Sequence, residues 1–259
     1  MKDIKVVVAA HKPYQMSEDP LYLPVFVGSK GKKDIGFQRD DEGENISEKN
    51  PYFCELTGLY WAVHNLKSDY IGLCHYRRYF GYGKVNKKNK FESVLTLKEA
   101  DALLEDCDII LPKKRNYYIT NIYDHYKNTM YVEPLDLAGE IIQEKYPEYY
   151  PEFEKLHTRK SAHMFNMFIM KREILIDYCN WLFDILFELE KRVDVSQYDS
   201  FHSRFYGRVS ERLLDIYLNT KQLKYKEVKL IDMGEVNWWK QGTSFLVAKL
   251  FKKKYDRSF

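Results

Sequence analysis

Cysteine is scarce in this chain, and its spacing excludes the roles that clustered cysteines have in other proteins. No Cys-x-x-Cys pair occurs, so the zinc and redox motifs built on that spacing are absent. Three of the four cysteines lie in apolar segments. We therefore expect small buried side chains in a reducing compartment and no structural disulfide. The four are Cys54, Cys74, Cys107 and Cys179.

Long hydrophobic runs are missing as well. No apolar segment approaches the roughly 18 residues that a membrane-spanning helix requires. The sequence opens on a strand-like run at residues 4–10, without the layout of a signal peptide. These two features predict a cytoplasmic protein.

The chain also lacks a strong net charge. Its 41 Lys and Arg nearly balance its 38 Asp and Glu, and the formal net charge of +3 is too small to indicate nucleic-acid binding. Tyrosine, by contrast, is abundant, with 22 residues in 259. Tyrosine-rich surfaces stack on sugar rings or nucleobases. An AT-rich genome would give the same count without any functional meaning.

The order of hydrophobic periodicities predicts the fold. Strand-like apolar runs alternate with segments of helical spacing, and this alternation favours a single α/β domain over residues 1–259. We expect a mostly parallel sheet flanked by helices, a polar loop at 28–50, a helical insertion at about 113–162 and a C-terminal helix. The expected strands are residues 4–10, 70–74, 108–112, 164–170 and 228–233, and the expected helices are 55–66, 96–106, 174–189 and 210–218.

The second of these strands ends abruptly in aromatic and charged residues. After Cys74 come His75, Tyr76, Arg77 and Arg78. In an open α/β sheet the carboxyl ends of strands line the ligand crevice, and arginine forms bidentate bonds with phosphate oxygens. Two adjacent guanidinium groups at this place suggest a phosphate site, although a solvated surface pair is an equally valid interpretation.

This stretch, Cys-His-Tyr-Arg-Arg-Tyr-Phe at residues 74–80, together with residues 45–62, resembles a bacterial family encoded among capsular and exopolysaccharide genes. That family was long described as a domain of unknown function and is now regarded as nucleotide-sugar glycosyltransferases. The resemblance implies a UDP-sugar donor and a lipid-linked glycan acceptor, with galactose as the first guess for the sugar. For such enzymes the single-domain, Rossmann-like GT-A plan fits this chain length better than the two-domain GT-B plan.

The resemblance also implies which residues meet the donor. They are His11, Lys12, Asn50, Tyr52, Glu55 and Tyr76. His11 and Lys12 follow the first strand, and Asn50 precedes a helix start, where free amides favour anions. A plain surface turn at His11 and a helix-capping Glu55 are the alternatives.

Familiar GT-A enzymes hold a divalent metal with an Asp-x-Asp motif, which this chain lacks at the corresponding place. We expect Arg77 and Arg78, with His75, to replace the metal in stabilising the leaving diphosphate, and we expect no metal site. Two alternatives stay open. The arginines hold a carboxylate across the crevice, or His75 ligates a metal together with Asp108 or Asp124.

Residues 205–214 resemble the family's Gly-x-x-x-Glu-Arg-Leu signature, which implies that Glu211 is the base that deprotonates the acceptor hydroxyl. Arg208 departs from the apolar residue expected within that signature. A carboxylate that only stabilises a helix start is an equal alternative. The next candidates for the base are Asp124, Asp199 and Glu55.

Three further residues are expected to contact the acceptor or a sugar: Asn166, Asp124 and His125. Asn166 lies within an apolar run and needs a hydrogen-bond partner if it is buried. The tail at 236–259 mixes apolar and basic residues as an interfacial helix does. It either docks on the inner face of the membrane or packs as an ordinary last helix.

Two other classes of protein compete with an enzyme of this kind. A non-catalytic nucleotide- or carbohydrate-binding protein would keep the crevice without the base. A phosphotransferase or phosphatase is disfavoured, because the sequence has neither a Gly-Lys-Ser/Thr phosphate loop nor a Cys-x5-Arg loop.

Overall fold

The computed structural model describes residues 1–234, and these residues form two compact units. The first unit contains residues 1–113, 165–180 and 223–234, and the second contains residues 114–164 and 181–222. The insertion expected at about 113–162 falls in the second unit. The tail expected at 236–259 lies outside the described residues. Within residues 1–234 no helix is both long and apolar enough to cross a bilayer.

Residues 1–234 contain ten strands and eight α-helices, joined by turns and short 3-10 helices. The strands are β1 (Ile4–Ala10), β2 (Tyr22–Phe26), β3 (Gln38–Arg39), β4 (Tyr70–His75), β5 (Arg78–Gly81), β6 (Ile109–Pro112), β7 (Arg115–Asn116), β8 (Ser161–Ala162), β9 (Phe168–Lys171) and β10 (Lys226–Asp232). The helices are α1 (Asn50–Phe53), α2 (Leu56–Asn65), α3 (Leu97–Leu103), α4 (Ile122–Thr129), α5 (Glu133–Lys145), α6 (Tyr150–Glu154), α7 (Arg172–Arg192) and α8 (Phe205–Thr220). The α/β prediction is confirmed.

The first unit is built on one sheet with the strand order β3-β2-β1-β4-β5-β10-β6-β9, in which β9 also pairs with β4. β1 is parallel to β2 and β4, β2 to β3, and β6 to β10. The other four pairings are antiparallel, so the prediction of a mostly parallel sheet is wrong for half of them. One reason is the turn at Tyr76 and Arg77, because a two-residue connection can join β4 to β5 only as antiparallel neighbours.

Both faces of β1 are buried, which explains its unbroken apolar sequence. Val6 and Val8 belong to the core cluster that also contains Ala100 of α3. Val7, between them, points to the opposite face, where α2 packs. A Cβ atom on Gly58 of α2 would lie 2.8 Å from the Val27 side chain. Glycine is therefore the residue that lets α2 approach this face closely.

Two local predictions have opposite outcomes. The helix expected to start at residue 96 is confirmed, because α3 begins with a capping box in which the Thr96 hydroxyl accepts a bond from the Glu99 N–H and the Glu99 carboxylate accepts one from the Thr96 N–H. The strand expected at 164–170 is wrong at its start. Phe165 (φ 75°) and Asn166 (φ 50°) adopt left-handed backbone conformations, which end any extended structure there, and β9 begins at Phe168.

The polar segment at 28–50 is organised around one buried carboxylate. Asp40 is fully buried and accepts hydrogen bonds from the Gly28 and Ser29 N–H groups, at 2.8 and 3.0 Å. The hydroxyls of Ser29, Ser47 and Thr57 donate to it as well, at 2.9, 2.5 and 2.7 Å. Because Thr57 belongs to α2, Asp40 fastens this segment to the helix.

The second unit combines a short antiparallel ribbon of β7 and β8 with α4, α5, α6, α8 and the later part of α7. Its core is rich in aromatic rings. Trp181 stacks on Tyr149, with ring centroids 4.8 Å apart, and lies 5.6 Å from Tyr217 of α8. Tyr126 and Tyr206 are also fully buried. Much of the tyrosine excess is therefore core packing.

Candidate functional site

Three aromatic rings meet where β1 and β4 end. The two strands are parallel neighbours with Ala9 opposite His75, so the residues that follow them lie side by side. Tyr14 and Tyr76 stack with ring centroids 3.8 Å apart and an interplanar angle of 11°. The His11 ring meets both edge-on, at 5.7 and 5.4 Å. This aromatic cluster of His11, Tyr14 and Tyr76 offers partly exposed ring surface on which a base or sugar can stack.

The two adjacent arginines have different surroundings. Arg78 lies half-buried with its guanidinium 4.2 Å above the Phe165 ring, and its Nε is 3.7 Å from an Asp232 carboxylate oxygen. Arg77 is exposed, and its carbonyl accepts a hydrogen bond from the Met233 N–H. Arg77 therefore presents its charge beside the aromatic cluster, whereas Arg78 is engaged within the first unit.

Residues with strained backbone conformations lie beside His75. The His75 Nε2 donates to the Phe165 carbonyl at 2.6 Å, and the Asn166 amide donates to the Glu55 carboxylate at 2.7 Å. Cys54, directly before Glu55, has φ 52°. Non-glycine residues in this conformation cost about 1–3 kcal/mol each and concentrate at functional sites. The structure thus brings together His75, Glu55 and Asn166, which are far apart in sequence.

The remaining residues expected to bind the donor fall into two groups. The Asn50 amide donates to the Cys54 carbonyl and the Thr57 hydroxyl, at 2.7 and 3.1 Å, and so is used to hold α1 against α2. Lys12 and Tyr52 are exposed. Of these three residues, only Lys12 and Tyr52 are open to a ligand without rearrangement.

The residues of the first unit do not fit a metal site at His75. Among residues 1–234 no group of three or more His, Cys, Asp or Glu side chains is placed to hold a metal. Asp108 accepts a hydrogen bond from Tyr70, at the opposite end of β4 from His75. A six-residue strand is about 17 Å long, so Asp108 cannot share a metal ion with His75.

In the second unit, Glu211 is held by its neighbour in sequence. Its Oε2 accepts a hydrogen bond from Arg212 Nη1 at 2.6 Å, and the same nitrogen donates to the Arg208 carbonyl at 2.8 Å. The Glu211 side chain is 19% exposed and that of Arg212 only 7%. Glu211 Oε1 accepts no hydrogen bond from the described residues. The carboxylate is therefore oriented through one of its two oxygens.

His125 lies in the same neighbourhood. Its ring is 4.3 Å from that of Tyr117, and the Arg212 guanidinium lies 5.0 Å above the ring of Tyr126, the next residue of α4. Burial, aided by the charges of Arg212 and Arg115, lowers the pKa of His125 to about 3. His125 is therefore neutral at pH 7, whereas Asp124 is exposed on α4.

A buried pair of Asp215 and His163 lies one helical turn after Glu211 and was not predicted from the sequence. The Asp215 carboxylate contacts His163 Nδ1 at 2.5 Å and accepts a bond from the His163 N–H at 3.0 Å. Burial alone would raise the pKa of Asp215, but the bonds to His163 and the Lys114 charge lower it below its usual value. Asp199, a secondary candidate for the base, is exposed and instead contacts the buried His202 at 2.6 Å.

The structure is that of an α/β protein with aromatic side chains and an exposed arginine at the ends of β1 and β4. Residues 5–222 match the family model described as a domain of unknown function, DUF4422, and the chain belongs to this family. The structure is similar to the apo structure of WbbM, a bifunctional glycosyltransferase, with a TM-score of 0.81 and 30% sequence identity. The match covers 90% of this chain and 46% of that chain, so this chain spans about half the length of its structural relative. No curated protein sequence matches it.

Proposed function

We propose that this protein is a glycosyltransferase of GT-A-like plan that moves a hexose from a UDP-sugar to a glycan acceptor. The observation that carries the proposal is the aromatic cluster beside the exposed Arg77 guanidinium, at the adjacent ends of two parallel strands. Stacking surface next to a fixed cation suits a base or sugar joined to a diphosphate. The 30% identity to a glycosyltransferase supports the same reaction class.

In the proposed reaction the acceptor hydroxyl oxygen attacks the anomeric carbon of the donor. The bond from that carbon to the diphosphate oxygen breaks, and UDP leaves with the electron pair. Arg77 stabilises the negative charge that develops on the leaving diphosphate. Arg78, which is engaged by Phe165 and Asp232, positions the turn that carries Arg77.

The proton of the acceptor hydroxyl needs a base if the configuration at the anomeric carbon inverts. We assign this role to Glu211, because its free oxygen is available to accept a proton while Arg212 fixes the other. The Glu55–Asn166 pair is assigned to recognition of a sugar hydroxyl, since Asn166 orients one oxygen of the carboxylate.

The finer features of the proposal come from the family resemblance. They are galactose as the transferred hexose, a lipid-linked capsular or exopolysaccharide intermediate as the acceptor, and a peripheral position on the inner face of the membrane. The geometry of the described residues supports binding of a nucleotide sugar more directly than it supports any of these three.

Calorimetric titration with UDP, with and without manganese, tests the donor site. We expect binding that does not require manganese, and at least a tenfold loss of affinity in Arg77→Ala. Arg204→Ala removes the same charge from an exposed side chain of the second unit and is the matched control. If the wild type binds UDP under neither condition, the proposed donor site is contradicted. If the two variants bind UDP with equal affinity, the proposed role of Arg77 is contradicted. Binding of UDP without any release of UDP from UDP-sugars in the presence of acceptors would favour a non-catalytic protein.

A further inference from the structure

A cavity of about 680 Å³ opens in the second unit beside α4, and no step of the proposed reaction uses it. Its polar lining includes Asn121, Asp124, Lys127, Asn128, His157 and Lys160. The volume is that of a small-molecule site. Acidic, basic and amide side chains therefore surround the same space and supply both hydrogen-bond donors and acceptors.

Backbone hydrogen bonds form the walls of this cavity in advance. The Tyr117 N–H donates to the Lys160 carbonyl at 2.7 Å, and the Ile122 N–H donates to the Arg159 carbonyl at 2.9 Å. These bonds tie the segment before α4 to the segment before β8. Arg159 also pairs with Glu152 at 2.7 Å. A ligand would therefore meet a shaped surface and lose little free energy to ordering it.

Part of the polar lining is already used, and part is open. Asn121 caps α4, since its side-chain Oδ1 accepts a hydrogen bond from the Asp124 N–H and its side-chain Nδ2 donates one to Asp124 Oδ2. Asp124 Oδ1 and the side chains of Asn128 and Lys160 have no hydrogen-bond partner within residues 1–234. These groups supply acceptors and donors in the same cavity.

The mixture of charges indicates the class of ligand. Asp124 would repel a phosphate, whereas a sugar hydroxyl can both donate to a carboxylate and accept from an amide or ammonium group. Ring surface is present as well. The His157 ring lies 3.9 Å from that of Tyr123, and Tyr118, next to the cavity-lining Ile119, is 83% exposed. Aromatic faces match the C–H surface of a sugar ring.

One helix connects this cavity to the assigned base. α4 presents Asp124 and Asn128 to the cavity, and on its buried side Tyr126 packs under the guanidinium of Arg212, which holds Glu211. We propose that the cavity binds a sugar residue of the acceptor glycan, so that α4 carries acceptor recognition. This inference rests on the proposed glycosyltransferase function.

The test is saturation-transfer NMR on the full chain with methyl galactoside and methyl glucoside, in the presence of UDP. We expect at least one glycoside to bind, and the double variant Asn128→Ala/Lys160→Ala to raise its dissociation constant at least tenfold. Lys87→Ala, at an exposed position of the first unit, is the matched control for loss of a lysine. The affinity for UDP is expected to be the same in all three proteins.

The outcomes separate this inference from the proposed function. If UDP binds but neither glycoside does, or if the double variant binds the glycoside as the wild type does, the cavity is not a sugar site. Displacement of the glycoside by millimolar inorganic phosphate would likewise overturn it, because the site would then be an anion site. Loss of glycoside binding in the double variant, in a protein that fails to bind UDP, would support the cavity and contradict only the proposed donor.

Discussion

Replacing Asp40 by alanine tests how residues 28–50 are held on the first unit. Three of its five donors have no second acceptor among the described residues: the Gly28 N–H, the Ser29 N–H and the Ser47 hydroxyl. At about 1.5 kcal/mol for each bond to a charged group, their loss amounts to about 4.5 kcal/mol. The Thr57 hydroxyl can turn to the Cys54 carbonyl and is left out of this sum.

Thermal unfolding followed by circular dichroism measures the effect. For a chain of this size, a loss of about 4.5 kcal/mol lowers the melting temperature by roughly 10–15 °C. Asp40→Asn keeps one acceptor oxygen and is expected to lose about half as much. Asp41→Ala is the matched control, because Asp41 is partly exposed and pairs with Arg39 at 2.8 Å, an interaction that contributes about 1 kcal/mol at most. Equal melting temperatures for Asp40→Ala and Asp41→Ala would refute the central role of Asp40.

Three further predictions concern single residues. Glu211→Gln is expected to lower the turnover of UDP-sugar at least a hundredfold, measured by steady-state kinetics, and to leave the affinity for UDP unchanged, measured by calorimetry. Near-normal turnover would exclude Glu211 as the base. Because the pKa of Asp215 is lowered in the folded state, its pairing stabilises the protein above the unfolded pKa of about 3.9 and is lost as the pH falls through the lower folded pKa. Urea midpoints between pH 3 and 7 should therefore fall more steeply towards acid in the wild type than in Asp215→Asn, and parallel curves would contradict this. Asn166→Gly is expected to stay within about 1 kcal/mol of the wild type, since relief of the positive φ offsets the lost bond to Glu55, whereas Asn166→Ala should cost about 2 kcal/mol; equal melting temperatures for the two variants would argue against strain.

The sequence predicts best what is decided locally. The capping box at Thr96 and Glu99 depends on two residues three positions apart, and the strand at 4–10 is marked by its own apolar run. β2 is different, because Pro24 within Tyr22–Phe26 has no N–H to donate to a neighbouring strand. The local sequence therefore disfavours a strand there. Pairing with β1 and β3 overrides this local preference.

The sequence predicts which residues belong to the candidate site, but it does not predict how their side chains are arranged in space. Glu55 and Asn166 are 111 positions apart, and no pattern in the sequence states that they meet. The different fates of Arg77 and Arg78 are equally hidden, because they depend on Phe165 in a left-handed conformation that a bulky residue rarely adopts. Membership of the family is shown by the match over residues 5–222, whereas the surroundings of each side chain require the fold.

The place of β10 in the sheet affects how the protein is made. This strand, the last of the described chain, lies between β5 and β6 and pairs with both. While the chain is being synthesised, those two strands emerge more than a hundred residues before the strand that joins them. Until β10 leaves the ribosome, both present unpaired edges that can associate with other chains. The first unit can complete its sheet only after the second unit has been translated, so these two edges stay unpaired in nascent chains and in chains truncated before β10.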